Sequence, residues 1–79
     1  MDKAGKIKHY ATAKRATART ITQIENGNFV TSWVGKLRGM IISAEDGTYK
    51  HQTKEAALAC ATEFRERCLA EATKRGIAL

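Results

Sequence analysis

RTITQIENGNFVTSWV, residues 19–34, decides the fold. Asn26-Gly27 stands between two runs rich in β-branched and aromatic residues. A type I′ turn needs positive φ at both central positions, and Asn-Gly supplies it at least cost, so the stretch reads as a β-hairpin. Taking Asn26-Gly27 as the loop pairs Glu25 with Asn28, Ile24 with Phe29, Thr22 with Thr31 and Thr20 with Trp33. One face then carries Ile24, Phe29 and Trp33 among three threonines. The other carries Arg19, Ile21, Gln23, Val30, Ser32 and Val34. Both faces are partly apolar, and burial of the aromatic one is expected.

Downstream, Gly35 and Gly39 bracket Lys36-Leu37-Arg38, a basic connection or a bent start to the next strand. Met40–Ala44 reads as a third strand, and Asp46-Gly47 as a turn that returns Thr48–His51 as a fourth. Thr53–Arg75 reads as a helix. Thr53 is a good N-cap, Glu55 lies in the first turn, Lys74 and Arg75 lie in the last, and Gly76 can end it. At 100° per residue, Ala57, Leu58, Cys60, Ala61, Phe64, Cys68, Leu69 and Ala72 share one half of its surface. Glu55, Glu63, Glu66 and Thr73 fall opposite. The small residues of the stripe suit close approach to a sheet, and Arg65 at its edge reads as a snorkelling stem.

Upstream, Ile7–Tyr10 reads as a short first strand. ATAKRATART (11–20) has too little bulk to bury a face; a mobile basic arm, an edge strand and an approach to the hairpin all fit. The expected whole is one α+β domain over 1–79. Residues 1–18 form a basic segment, 19–52 a three- to four-stranded antiparallel sheet, and 53–75 a C-terminal amphipathic helix on one face.

Charge is divided unevenly. Of the 79 residues, fourteen are Lys or Arg and eight Asp or Glu, a net +6. All of the excess lies in residues 1–39, where Lys3, Lys6, Lys8, Lys14, Arg15, Arg19, Lys36 and Arg38 face only Asp2 and Glu25. Such asymmetry speaks of a polyanionic partner: nucleic acid, or an acidic surface of a nucleic-acid-processing protein complex. The core available to so short a chain is thin, which leaves room for a homodimer or a partner to add stability. The longest apolar run, Met40-Ile41-Ile42, is far short of a membrane span, and no apolar stretch follows the N-terminal charges, so no membrane association, no secretion and a cytoplasmic site are expected.

No convergent chemistry is found. GKLRG (35–39) lacks P-loop and dinucleotide-binding spacing. Ser32 and Ser43 have no nucleophile context. Cys60 and Cys68, about 12 Å apart along a helix axis, are too distant for a disulfide and fall on the apolar face as core thiols. His9 and His51 form no ligand pair with either. The expectation is therefore a non-enzyme with no cofactor and no metal. The candidate binding residues are Lys6, Lys8, Lys14, Arg15, Arg19, Trp33, Lys36 and Arg38, because a β-ribbon can carry Arg into a DNA groove and Trp can stack on a base.

Two resemblances follow from particular residues. GTYKHQTKEAALA (47–59), a Gly-Thr-aromatic strand before a Thr-capped helix, resembles the three-stranded-sheet DNA-binding domains of plant ethylene-response proteins and phage integrase arm-binding domains. That resemblance implies a sheet reading the major groove through Arg and Trp, loosely Arg19, Trp33, Lys36 and Arg38. Two extra residues separate the aromatic from the cap, and the dense Arg pattern of that family is missing here. Ile7-Lys8, Thr12-Ala13 and Glu25-Asn26-Gly27 are similar to the opening of a small phage anti-CRISPR protein of type I systems, which implies an inhibitor that binds the effector complex and blocks its access to target DNA. The absence of any chemistry fits both families equally, and a phage- or mobile-element-encoded module is expected.

Overall fold

Asn26 and Gly27 adopt φ of 51° and 79°, and the hairpin forms around them. The computed structural model describes residues 2–79. Their elements are α1 (Lys3–Ala11), β1 (Thr17–Glu25), β2 (Asn28–Leu37), β3 (Met40–Ile41) and α2 (Lys54–Arg75). The antiparallel sheet has order β1-β2-β3. Its register runs unbroken from Glu25↔Asn28 to Thr17↔Lys36 and includes all four pairs that the turn dictates. A second tight turn, Arg38-Gly39 with φ of 51° and 82°, joins β2 to β3.

α2 begins and ends where its caps dictate. The Thr53 side chain accepts from Ala56 N, and Gly76 in the left-handed region closes the last turn. Its apolar stripe meets two different partners. Toward the N-terminal end, Ala61 packs with Ala13, Leu37 and Ile42. Toward the C-terminal end, Cys68 and Ala72 pack with Ile7 and Ala11 of α1. Tyr10 and Phe64, edge-to-face at 5.3 Å, adjoin both clusters and join them into one core. Gly35 sets the approach of α2 to the sheet: a Cβ there would lie 2.2 Å from the Ala57 carbonyl oxygen and 3.0 Å from Ala61 Cβ. Only a residue without a side chain permits that contact.

Four expectations need correction. Ile7–Tyr10 is helical, not a strand. Asp2 caps α1 by accepting from Gly5 N at 2.6 Å. Ile7 and Ala11, one turn apart, then face α2 together, whereas a strand would have put them on one side with His9. The expected fourth strand, Thr48–His51, reduces to a single bridge between His51 and Trp33. The Asp46-Gly47 turn does form, with Asp46 accepting from Thr48 N. The returning chain, however, pairs with β2 beyond the end of β3 instead of adding an outer strand to it. Pairing of the third strand also stops early: β3 is Met40–Ile41, followed by one further bond from Ile42 N to Gly35 O.

The fourth correction concerns the aromatic face. Alternation puts Phe29, Thr31, Trp33, Gly35 and Leu37 on the side where α2 lies. Burial on that side is confined to the end near Gly35. Leu37 is fully buried and Trp33 half-buried, while Phe29 is 79% and Ile24 68% exposed. Every residue from Thr22 to Phe29 is exposed. The molecule measures 48 × 22 × 20 Å. No helix among the described residues is long and apolar enough to cross a membrane.

Candidate nucleic-acid interface

From Lys3 to Ala44 the chain contains one acidic residue, Glu25. Its carboxylate accepts from Lys50 Nζ at 2.6 Å, and this bond holds the Lys50 ammonium above its ordinary value of 10.5. The hairpin and α1 therefore present cations with almost no competing negative charge. Two acids outside that stretch are engaged elsewhere: Glu71 accepts from Arg75 Nε at 2.7 Å, and Glu45 pairs with Arg67 at 3.5 Å.

The candidate cations fall into separate groups. Lys14 and Arg15, in the α1–β1 connection, line an open groove of about 350 Å³ with Thr12, Ala13 and Arg38. The connection is held by Ala13, whose side chain is buried and whose carbonyl accepts from Arg65 Nε at 2.7 Å. Arg65 thus positions Lys14 and Arg15 instead of merely trailing along the surface. Arg38 reaches the groove from the β2–β3 turn. Its Nη1 lies 3.4 Å from Thr12 Oγ1 and 3.5 Å from the His9 carbonyl, so its charge faces the negative end of the α1 dipole. An Arg with φ of 51° is locally unfavourable, and these contacts offset part of that cost. On its other side Arg15 shares a second groove with Lys54 and Leu58, so Lys54 extends the same basic strip.

Arg19 and Lys36 sit on the sheet face turned away from α2, in the adjacent pairs Arg19↔Val34 and Thr17↔Lys36. Arg19 is exposed; Lys36 is half-buried, and Val34 between its neighbours is only 1% exposed. Gln23 and Asn28 continue this face toward the turn, both exposed. Lys8 is exposed on α1. Lys6 lies apart from the strip, in grooves shared with Tyr10 and Phe64. Trp33 is half-buried, and its backbone exchanges both hydrogen bonds with His51 at 2.8 Å.

Reasoning from sequence passed over Phe29, Gln23, Asn28 and Lys54. The signal for Phe29 was available: it lies one residue from the turn, at the end of the ribbon farthest from α2. The cysteines are buried within the α2 stripe, and burial raises both thiols above their ordinary 9.0. Among the described residues no three His, Cys, Asp or Glu side chains are grouped to hold a metal ion. No protein-family model, curated protein or solved structure matches the chain.

Proposed function

We propose that this chain is a small, non-catalytic nucleic-acid-binding module whose hairpin and α1–β1 connection contact the polyanion. The observation that carries this reading is the acid-poor surface: eight cations from Lys3 to Arg38, against a single carboxylate already neutralised by Lys50. Lys14, Arg15 and Arg38 around one groove suit a phosphate. The helix-free sheet face adds Arg19, Gln23 and Asn28, side-chain types that read guanine and adenine edges. Phosphate contacts release counterions, so the logarithm of affinity for duplex DNA falls linearly with the logarithm of salt concentration.

The test is fluorescence anisotropy with a labelled duplex across a salt series. Lys14→Gln with Arg15→Gln is expected to weaken binding to all sequences and to flatten the salt slope by about one unit for each phosphate released from the protein. Absence of binding at about 50 mM salt, where phosphate contacts are strongest, contradicts the proposal. A nuclease-resistant protein partner recovered in its place points to the inhibitor reading, in which the same cations meet an acidic protein surface.

A further inference from the structure

Ile24 and Phe29 are directly paired across the hairpin, one residue from the Asn26-Gly27 turn on each side with Glu25 and Asn28 between. Both are exposed although they are the largest apolar side chains of the ribbon's free end. Six residues at about 3.3 Å each separate Phe29 from Gly35, so this pair stands about 20 Å from the point where α2 approaches the sheet. Within that span Thr22 and Thr31 hydrogen-bond across the strands at 3.1 Å, and the ion pair of Lys50 with Glu25 fastens the end. The apolar pair is held in place and left uncovered.

We infer that the Ile24–Phe29 tip is a wedge that enters between stacked base pairs of duplex DNA and kinks it. The inference rests on the nucleic-acid reading above. Two features favour DNA over a protein as the occupant. The first is area: an aromatic side chain buries 150–250 Å², so this pair falls well short of the roughly 1,200 Å² that a stable protein interface needs. The second is charge: the apolar pair is carried by a ribbon whose base holds Arg19 and Lys36, and whose only carboxylate is neutralised. Cations on phosphates with an apolar side chain levering a base step apart is a combination that stabilises bent DNA. A duplex is favoured over a single strand because single-strand platforms stack successive bases on several aromatics, and this tip offers one. Its aliphatic partner suits a wedge between pairs.

The experiment uses the full chain and a duplex of about 30 base pairs labelled at both ends for energy transfer, a length on which protein-induced bends are resolved. Wild-type protein is expected to shorten the end-to-end distance. Phe29→Ala, with circular dichroism unchanged, is expected to abolish most of the shortening at saturation and to weaken binding about 5- to 150-fold, the range for removing one base–aromatic stack. Its salt slope should equal that of wild type, because no phosphate contact is touched. Phe29→Leu, which keeps an apolar wedge, should retain the bend. A bend that survives Phe29→Ala, or binding without any bend, overturns the wedge and leaves the nucleic-acid reading standing. Failure of wild type to bind duplex at low salt overturns both. Binding confined to single strands, or self-association in the absence of DNA that Phe29→Ala abolishes, also overturns the wedge and assigns the tip to unpaired bases or to a second copy of the chain.

Discussion

The two ends of the β1–β2 hairpin share one ladder and differ in everything else. Near Gly35 both faces are covered: Leu37 packs on Ala61, Gly35 lies against the Ala57 carbonyl, and Val34 is buried on the opposite side. Near Asn26 the backbone pairing is equally regular, yet no side chain from Thr22 to Phe29 is buried. A two-stranded ribbon alone is marginal in water, and what makes one end a core is the helix laid on it. The other end borrows its order from that anchor, from Thr22–Thr31 and from Lys50–Glu25. Substitutions of the packed side chains at the anchored end should therefore change stability, and substitutions at the free end should change binding with little effect on stability.

The contrast breaks if stability is distributed evenly along the ribbon. Leu37→Ala is expected to cost about 2–5 kcal/mol, as for other fully buried aliphatic side chains, and to lower Tm by the largest margin of the set. Gly35→Ala adds only a methyl group, but one that collides with α2 backbone; about 1–3 kcal/mol is expected from the forced displacement. Gly27→Ala places a Cβ at φ of 79° in open space, a strain of about 1 kcal/mol felt mainly as faster amide exchange near the turn. Phe29→Ala should fall within about 0.5 kcal/mol of wild type, as exposed positions do. Chemical denaturation followed by circular dichroism orders all four, and a Phe29→Ala destabilisation comparable to that of Leu37→Ala contradicts the division.

A smaller effect should appear in acid. Glu71 is held below its ordinary 4.5 by its bond from Arg75, and Asp46 below 3.8 by bonds from Thr48. Because the folded values are the lower ones, their contribution is fully present above those ordinary values and is lost as pH falls through the depressed ones. Both carboxyls are exposed, so the loss should be slight, and it should register in α2 and the 44–48 turn.

Local signals carried most of the fold. Asn26-Gly27 determined the hairpin and its register, and Thr53, Gly76 and the spacing of small apolar residues determined α2. Long-range packing decided the rest. α1 carries only Ile7, Tyr10 and Ala11 as apolar anchors on a basic segment, and its helical state depends on Cys68 and Ala72, distant in the chain. Arg38-Gly39 forms the same turn as Asn26-Gly27, but Arg does not announce a left-handed position as Asn does; the compensating contacts to Thr12 and His9 are tertiary. Likewise both hairpin faces look equally coverable in the sequence, and only the position of Gly35 under Ala57 fixes where the cover ends. The charge asymmetry was plain from composition. The meeting of Lys14, Arg15 and Arg38 at one groove required the fold.

The division of labour along the hairpin is tested most directly by amide chemical shifts during titration with a short DNA duplex at about 50 mM salt, where electrostatic binding is strongest. Perturbations are expected to concentrate at Lys14, Arg15 and Arg19–Phe29, with Glu63, Glu66 and Glu71 on α2 unmoved. Shifts centred on α2, or none at all under saturating duplex, would contradict that division.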